Sequence, residues 1–295
     1  GKTHYDENMF FQALSEIGIL DFYCSRFSAK SAVYEPRLGV GQANPEASFR
    51  AMFPCDQGED FEIKVNIEVK TPRFPSLDEC HDRSAISTVL LTNAGRDKFQ
   101  QLCESHGVVC VFPRVNKLVE FINSASKKFQ EPKENEYNLL YINWSYSDFP
   151  SNSFLEAWSL LTNDFNGLLT HREIGPKLPL SEPLNPEAFS KITAIIVYTS
   201  SLDQLMSTDF RYVWQGTNPD VGQRFRMFVL DEKLRDAEIS CNSKVLFTIT
   251  GIRPSILEPK YWKLLFNRNR NSNTIADELF CRQALDIINE YPLTF

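Results

Sequence analysis

Glu68 and Lys70 stand two residues apart at the end of the alternating run Phe61–Lys70, so they point to one face of a strand. A second acid, Glu46, stands in Pro45-Glu46 just before another extended run, Ala47–Phe53. The stretch Pro54-Cys55-Asp56-Gln57-Gly58-Glu59-Asp60 separates the two runs and reads as the turn of a hairpin. If the chain turns about Gln57, Glu46 lies opposite Glu68. If it turns between Gln57 and Gly58, Glu46 lies opposite Val69. Residues opposite each other in an antiparallel pair have Cβ atoms roughly 4.5–5.5 Å apart, a distance one metal ion can bridge. Two carboxylates on neighbouring strands with a lysine beside them suit metal-assisted phosphodiester hydrolysis. A hard divalent cation takes oxygen ligands and keeps several waters. It polarises the phosphate and acidifies the attacking water, which the lysine orients or deprotonates.

Glu-x-Lys alone carries little information, because Glu62-Ile63-Lys64, Glu131-Pro132-Lys133 and Glu258-Pro259-Lys260 share it. Only Glu68-Val69-Lys70 combines a strand end, a following Thr71-Pro72 and an upstream Pro-Glu across a hairpin. The plainer reading of the same residues is an amphipathic strand with a solvated polar face. Asp56 and Asp60 are rival acids, but both fall in the turn. The four histidines form no metal-binding spacing, and His106 reads as a packing or capping residue at a helix end. Gly39-Val40-Gly41 lacks the third glycine of a dinucleotide loop and reads as a turn. Lys127-Lys128 and Arg268/Arg270 are small basic clusters. Tyr261, Trp262 and Phe266 near the second could stack on nucleic acid, although a solvated surface is the simpler expectation for both.

These residues need elements to hold them. Glu7–Phe22 reads as an amphipathic helix with Phe10, Ala13, Leu14 and Ile17 on its apolar face, and Glu7 borders that face. Gly18 weakens its last turn. Ser31–Leu38 contains a first strand, followed by the hairpin. Asn93–His106 is a helix that Gly107 ends, and Val108–Phe112 is a short apolar strand suited to a buried parallel position. Val115–Phe129 is an amphipathic helix. Asn138–Trp144 and Lys191–Thr199 read as buried strands, with Phe154–Leu161 helical between them. Phe210–Gln215, Phe225–Leu230 and Lys244–Thr250 are further strand candidates, and Thr274–Tyr291 is a closing helix. The fold class expected is α/β, with a mixed central sheet flanked by helices.

The residues Pro45-Glu46 and Glu68-Val69-Lys70, within a helix–three strands–helix–strand order from Glu7 to Phe112, resemble the PD-(D/E)xK nuclease superfamily. Glu stands at 46 where that superfamily usually has Asp. The resemblance implies a restriction-endonuclease-like core (αβββαβ) over about residues 5–130, and an extension of the sheet over about 137–295, in one elaborated domain. It implies metal binding by Glu46, Glu68 and the Val69 carbonyl, with Lys70 at the water. It also implies a helix-one glutamate completing the site, for which Glu7 fits by its helix face and Glu16 less well. The cofactor implied is Mg²⁺ or Mn²⁺. The partner is nucleic acid, with DNA favoured over RNA by the superfamily's habit.

Composition sets bounds. The chain has 295 residues, of which 42% are hydrophobic, enough for a sizeable core. The net charge of −7 argues against a protein that coats nucleic acid by bulk charge, but permits a locally basic groove. It favours the competing reading, a catalytically silent binding or scaffold protein. Seven cysteines, an odd number without a CxxC, argue against a disulfide framework and against a cysteine-based zinc site. Reduced thiols in a cytoplasmic protein are expected. No apolar run reaches the length of a membrane span, so no membrane partner is expected.

Overall fold

The computed structural model describes residues 6–26, 31–38, 43–53, 60–72, 85–87, 93–107, 109–111, 114–144, 156–158, 160–162, 167–170, 182–200, 225–230, 245, 249–250, 266–268, 282–284, 286–287 and 290. The expected strand Phe210–Gln215, the turn residue Asp56, Gly39-Val40-Gly41, Tyr261, Trp262 and Arg270 lie outside them. The chain forms two compact units. One comprises residues 1–73, 116–157 and 182–257, and the other 74–115, 158–181 and 258–295.

The first unit is α/β. Helix α1 spans Glu7–Arg26 and runs through Gly18 to end four residues later than expected. Strands β1 (Ser31–Tyr34), β2 (Ala47–Phe53) and β3 (Phe61–Lys70) follow as an antiparallel meander. The boundaries of β2 and β3 are those of the alternating sequence runs.

Beside β3, in parallel, lies the strand Glu136–Asn143, and beside that, again in parallel, Ala194–Tyr198. Phe225–Val229 closes the far side antiparallel, making a six-stranded mixed sheet. The parallel strands read as unbroken apolar runs because both faces are covered. Tyr137, Leu139, Tyr141, Ala194, Ile196 and Tyr198 share one buried cluster with Ile19, Phe22 and Tyr23 of α1. A helix spanning Val115–Lys128 covers the other face, since its Lys128 meets Glu68 there. A single helical turn, Ala188–Lys191, leads into Ala194–Tyr198.

The second unit holds a small sheet. Ala85–Ser87 pairs in parallel with Val109–Val111 and antiparallel with Phe266–Arg268. In chain order the strands are thus β4 (Ala85–Ser87), β5 (Val109–Val111), β6 (Glu136–Asn143), β7 (Ala194–Tyr198), β8 (Phe225–Val229) and β9 (Phe266–Arg268). The helices are α1, α2 (Asn93–Ser105), α3 (Val115–Lys128) and α4 (Ala188–Lys191). Gly107 closes α2 with φ of 65°, a left-handed conformation that costs a glycine little. His106 caps the same end, its Nδ1 lying 3.0 Å from the Leu102 carbonyl.

Three sequence expectations change. The strand at 109–111 does not join β3, because β6 takes that place and β5 pairs with β4. The buried face of α1 is Phe11, Ser15, Ile19, Phe22 and Tyr23, while Phe10 and Ile17 are exposed. Both stripes have helical spacing, and only the sheet decides which one is covered. Val245, Ile249 and Thr250, expected in a strand, are helical. Short apolar runs do not separate strand from helix by periodicity.

Candidate active site

The site grows from the end of β3. Val65, Ile67 and Val69 face α1, so Asn66, Glu68 and Lys70 face α3 by strand alternation. That polar face is not solvated along its length. Glu62, near the hairpin, is exposed, but Asn66 is buried and the Glu68 side chain is 0% exposed. The plain solvated-strand reading therefore fails at this end.

The register pairs Ala47 with Ile67, so Glu46, one residue earlier, comes level with Glu68. This is the first of the two registers open from the sequence. Backbone geometry holds Glu46 in place. Glu35 turns left-handed after β1, at φ 46°, and its N–H donates to the Glu46 carbonyl at 2.9 Å. A non-glycine residue takes that conformation at a cost, here spent on fixing the residue that opens β2.

Two ammonium groups converge on one oxygen of Glu68. Lys70 Nζ lies 2.6 Å from Oε1, and Lys128 Nζ lies 2.7 Å from it. Lys128 Nζ is also 3.6 Å from Glu46 Oε1. The other Glu68 oxygen, Oε2, is buried and meets no hydrogen-bond donor among the described residues. Burial, then the charges of Glu68 and Glu16, pushes Glu46 up to about 7, against the opposing pull of Lys128 and Lys70. Burial works against the charge of Lys128, but Glu68 and then Glu46 outweigh it and hold that ammonium above its ordinary value.

Of the residues expected at the site, Glu46, Glu68 and Lys70 come together, with Val69 between the last two. Glu7 lies in the first turn of α1, and its side chain is outside the described residues. Glu16, the weaker candidate from sequence, is the helix-one acid whose charge acts on Glu46. Nine residues separate the two, about 13 Å of helix rise. With Phe11, Ser15, Ile19 and Tyr23 inward, Glu16 borders the covered stripe.

Lys128 was missed, having been read as a solvated surface residue. It sits three residues beyond Ala125 and seven beyond Phe121, both buried, so it continues the covered stripe of α3. That spacing was available in the sequence. Its position is well fixed: Asn138 of β6 donates to the Gln130 carbonyl at 2.7 Å, just past the helix end, and also to the Lys191 carbonyl. Asn66 of β3 donates to Asn138 in turn at 2.7 Å.

No group of three His, Cys, Asp or Glu side chains poised to hold a metal ion occurs among the described residues. Mg²⁺ asks for less, since one or two carboxylates plus waters and substrate phosphate oxygens commonly suffice. Glu46 and Glu68 supply two hard carboxylates, and the unpartnered Oε2 of Glu68 is a buried acceptor without a donor. These are oxygen donors of the kind a divalent cation takes, and in this structure the Lys128 ammonium lies between them. No helix among the described residues is long and apolar enough to cross a membrane. Cys24 and Cys103 are free thiols. Comparison with protein-family models, curated proteins and solved structures finds no match.

Proposed function

We propose that this chain is a metal-dependent nuclease that hydrolyses phosphodiester bonds, with DNA as the favoured substrate and Mg²⁺ or Mn²⁺ as cofactor. The observation that carries the reading is Glu68: a fully buried carboxylate, level with Glu46, with an unpartnered oxygen and a lysine two residues on. Buried carboxylates are expensive unless a cation meets them. A strand with only a structural role has no need to place two of them side by side. Within the first unit, helix, three antiparallel strands, helix and parallel strand follow in that order, with β4, α2 and β5 of the second unit inserted between β3 and α3, and this supports a restriction-endonuclease-like core. In that core, α3 and β6 take the places that the sequence reading gave to α2 and β5.

A bound divalent cation would polarise the phosphate and supply an acidified water. Glu46 and Glu68 would hold it, with the Val69 carbonyl as a further oxygen. Lys70 carries three rotatable N–H donors on a flexible stem, and these orient the attacking water beside Glu68. Glu16, rather than Glu7, is the helix acid that tunes the charge of Glu46.

One observation favours a second reading, a catalytically inactive nuclease-like binding or scaffold protein. The Lys128 ammonium stands between the two carboxylates, where a metal would sit. The test is cleavage of plasmid, single-stranded DNA and RNA with Mg²⁺, Mn²⁺ or EDTA, comparing Glu68→Ala, Lys70→Ala, Glu16→Ala and Glu7→Ala. Metal-dependent cleavage abolished by the first two substitutions is expected, with Glu16→Ala more damaging than Glu7→Ala. Absence of cleavage on every substrate, or cleavage that EDTA and Glu68→Ala leave intact, removes the nuclease reading.

A further inference from the structure

Lys128 belongs to no part of the hydrolytic chemistry described above, yet among the described residues it is the side chain that forms ion pairs with both carboxylates. Its Nζ lies 2.7 Å from Glu68 Oε1 and 3.6 Å from Glu46 Oε1. We infer that Lys128 is the site's exchangeable cation, balancing Glu46 and Glu68 when no metal is present and yielding that place when a divalent ion enters. This rests on the metal-dependent reading of the site and adds a regulatory residue to it.

Three features point to exchange rather than to a fixed structural pair. First, both ammonium groups crowd Oε1 of Glu68 as ion pairs, and neither of the two buried Glu68 oxygens accepts a well-formed hydrogen bond. A settled buried ion pair satisfies its remaining lone pairs, and this one does not. Second, Lys128 comes from a different element than Glu68 and Lys70, which share β3. Lys128 reaches in from the last turn of α3 on a long flexible stem, and its side chain is 19% exposed, which leaves a route outward. Third, a divalent ion held by Glu46 and Glu68 would stand a few ångströms from the Lys128 ammonium. Like charges a few ångströms apart in a partly buried site repel strongly, and a dication doubles the repulsion exerted by a single charge. The two cations cannot share the space, so metal entry expels Lys128. Metal affinity is then set by a competition built into the fold, and the metal-free site stays charge-balanced.

The test uses metal alone. Mn²⁺ binding to stripped full-length protein is measured by calorimetry for the wild type, Lys128→Met and Lys128→Arg. Lys128→Met is expected to bind at least roughly tenfold tighter, the scale set by removing one like charge a few ångströms away in a half-buried site. Lys128→Arg is expected to bind no tighter than the wild type. A second measurement needs no substitution: acetylation of Lys128 in the wild type, followed by mass spectrometry, with and without Mg²⁺. Several-fold faster labelling with Mg²⁺ is expected at Lys128, with half-buried Lys117, paired to Glu120, unchanged. Equal Mn²⁺ affinity in wild type and Lys128→Met, or Lys128 labelling that metal leaves unchanged while binding is seen, overturns the exchange and spares the metal site. No Mn²⁺ binding by any form overturns both.

Discussion

Replacing Glu68 by Gln keeps the side-chain volume and removes the charge that two ammonium groups share. Both nitrogens lie within 2.7 Å of the same oxygen, so they stand no more than about 5 Å from each other. At an effective dielectric of about 20 their mutual repulsion is about 3 kcal/mol. Removing one partner from a buried pair costs about 3–5 kcal/mol by itself. Glu68 is fully buried, while Lys70 and Lys128 are 17% and 19% exposed and can partly withdraw. The lower end, about 3 kcal/mol, is therefore expected for Glu68→Gln. Lys128→Met leaves Glu68 with Lys70 and is expected to cost less, about 1–2 kcal/mol. The double variant Glu68→Gln/Lys128→Met has neither the carboxylate nor the second ammonium, so its cost should fall short of the summed single costs by about 1–2 kcal/mol. The assay is hydrogen exchange of peptides covering Phe61–Lys70 and Glu136–Asn143, in EDTA at pH 7, which reports the opening free energy of the strands that hold the site. Additivity within about 0.5 kcal/mol, or a negligible cost of Glu68→Gln, would refute the buried ion cluster.

Two further outcomes follow from other parts of the fold. Glu136 works against burial but accepts bonds from Lys64 at 2.6 Å and Asn66 at 2.8 Å, which together hold its carboxyl below the ordinary value of 4.5. Its contribution is present above pH 4.5 and lost as pH falls through the lowered folded value, so Glu136→Gln should destabilise by about 1 kcal/mol at pH 7 and not at all in strong acid; an equal effect at both would contradict the linkage. Gly107→Ala should cost about 1 kcal/mol in thermal or urea unfolding of the α2 region from backbone strain alone, because a Cβ there meets nothing within 4 Å while φ stays at 65°. A neutral result would show that this turn relaxes.

Much of the first unit was legible in local sequence. Strict alternation in Phe61–Lys70 set the ends of β3 and separated its faces, because side chains on a strand repeat every two residues whatever surrounds them. The Gly/Asp turn limited the hairpin to two registers, one of which the strands adopt, and so brought Glu46 to Glu68. Thr71-Pro72 marked the strand's end for an equally local reason.

What tertiary structure decided is which surfaces are covered. Phe10 and Ile17 look as apolar as Phe11 and Ile19, and only packing on β3, β6 and β7 selects the second stripe, which Glu16 borders. The parallel neighbour of β3 could not be read locally either, since pairing between strands far apart in sequence leaves no short-range signature. Apolar Val109–Val111 and Glu136–Asn143 are equally plausible partners until α3 is placed. Burial of the polar face is likewise non-local. Glu62 and Glu68 carry the same chemistry on the same strand, and the covering of one end of β3, where Lys128 arrives from α3, leaves the first an exposed acid and makes the second the centre of a buried charge cluster.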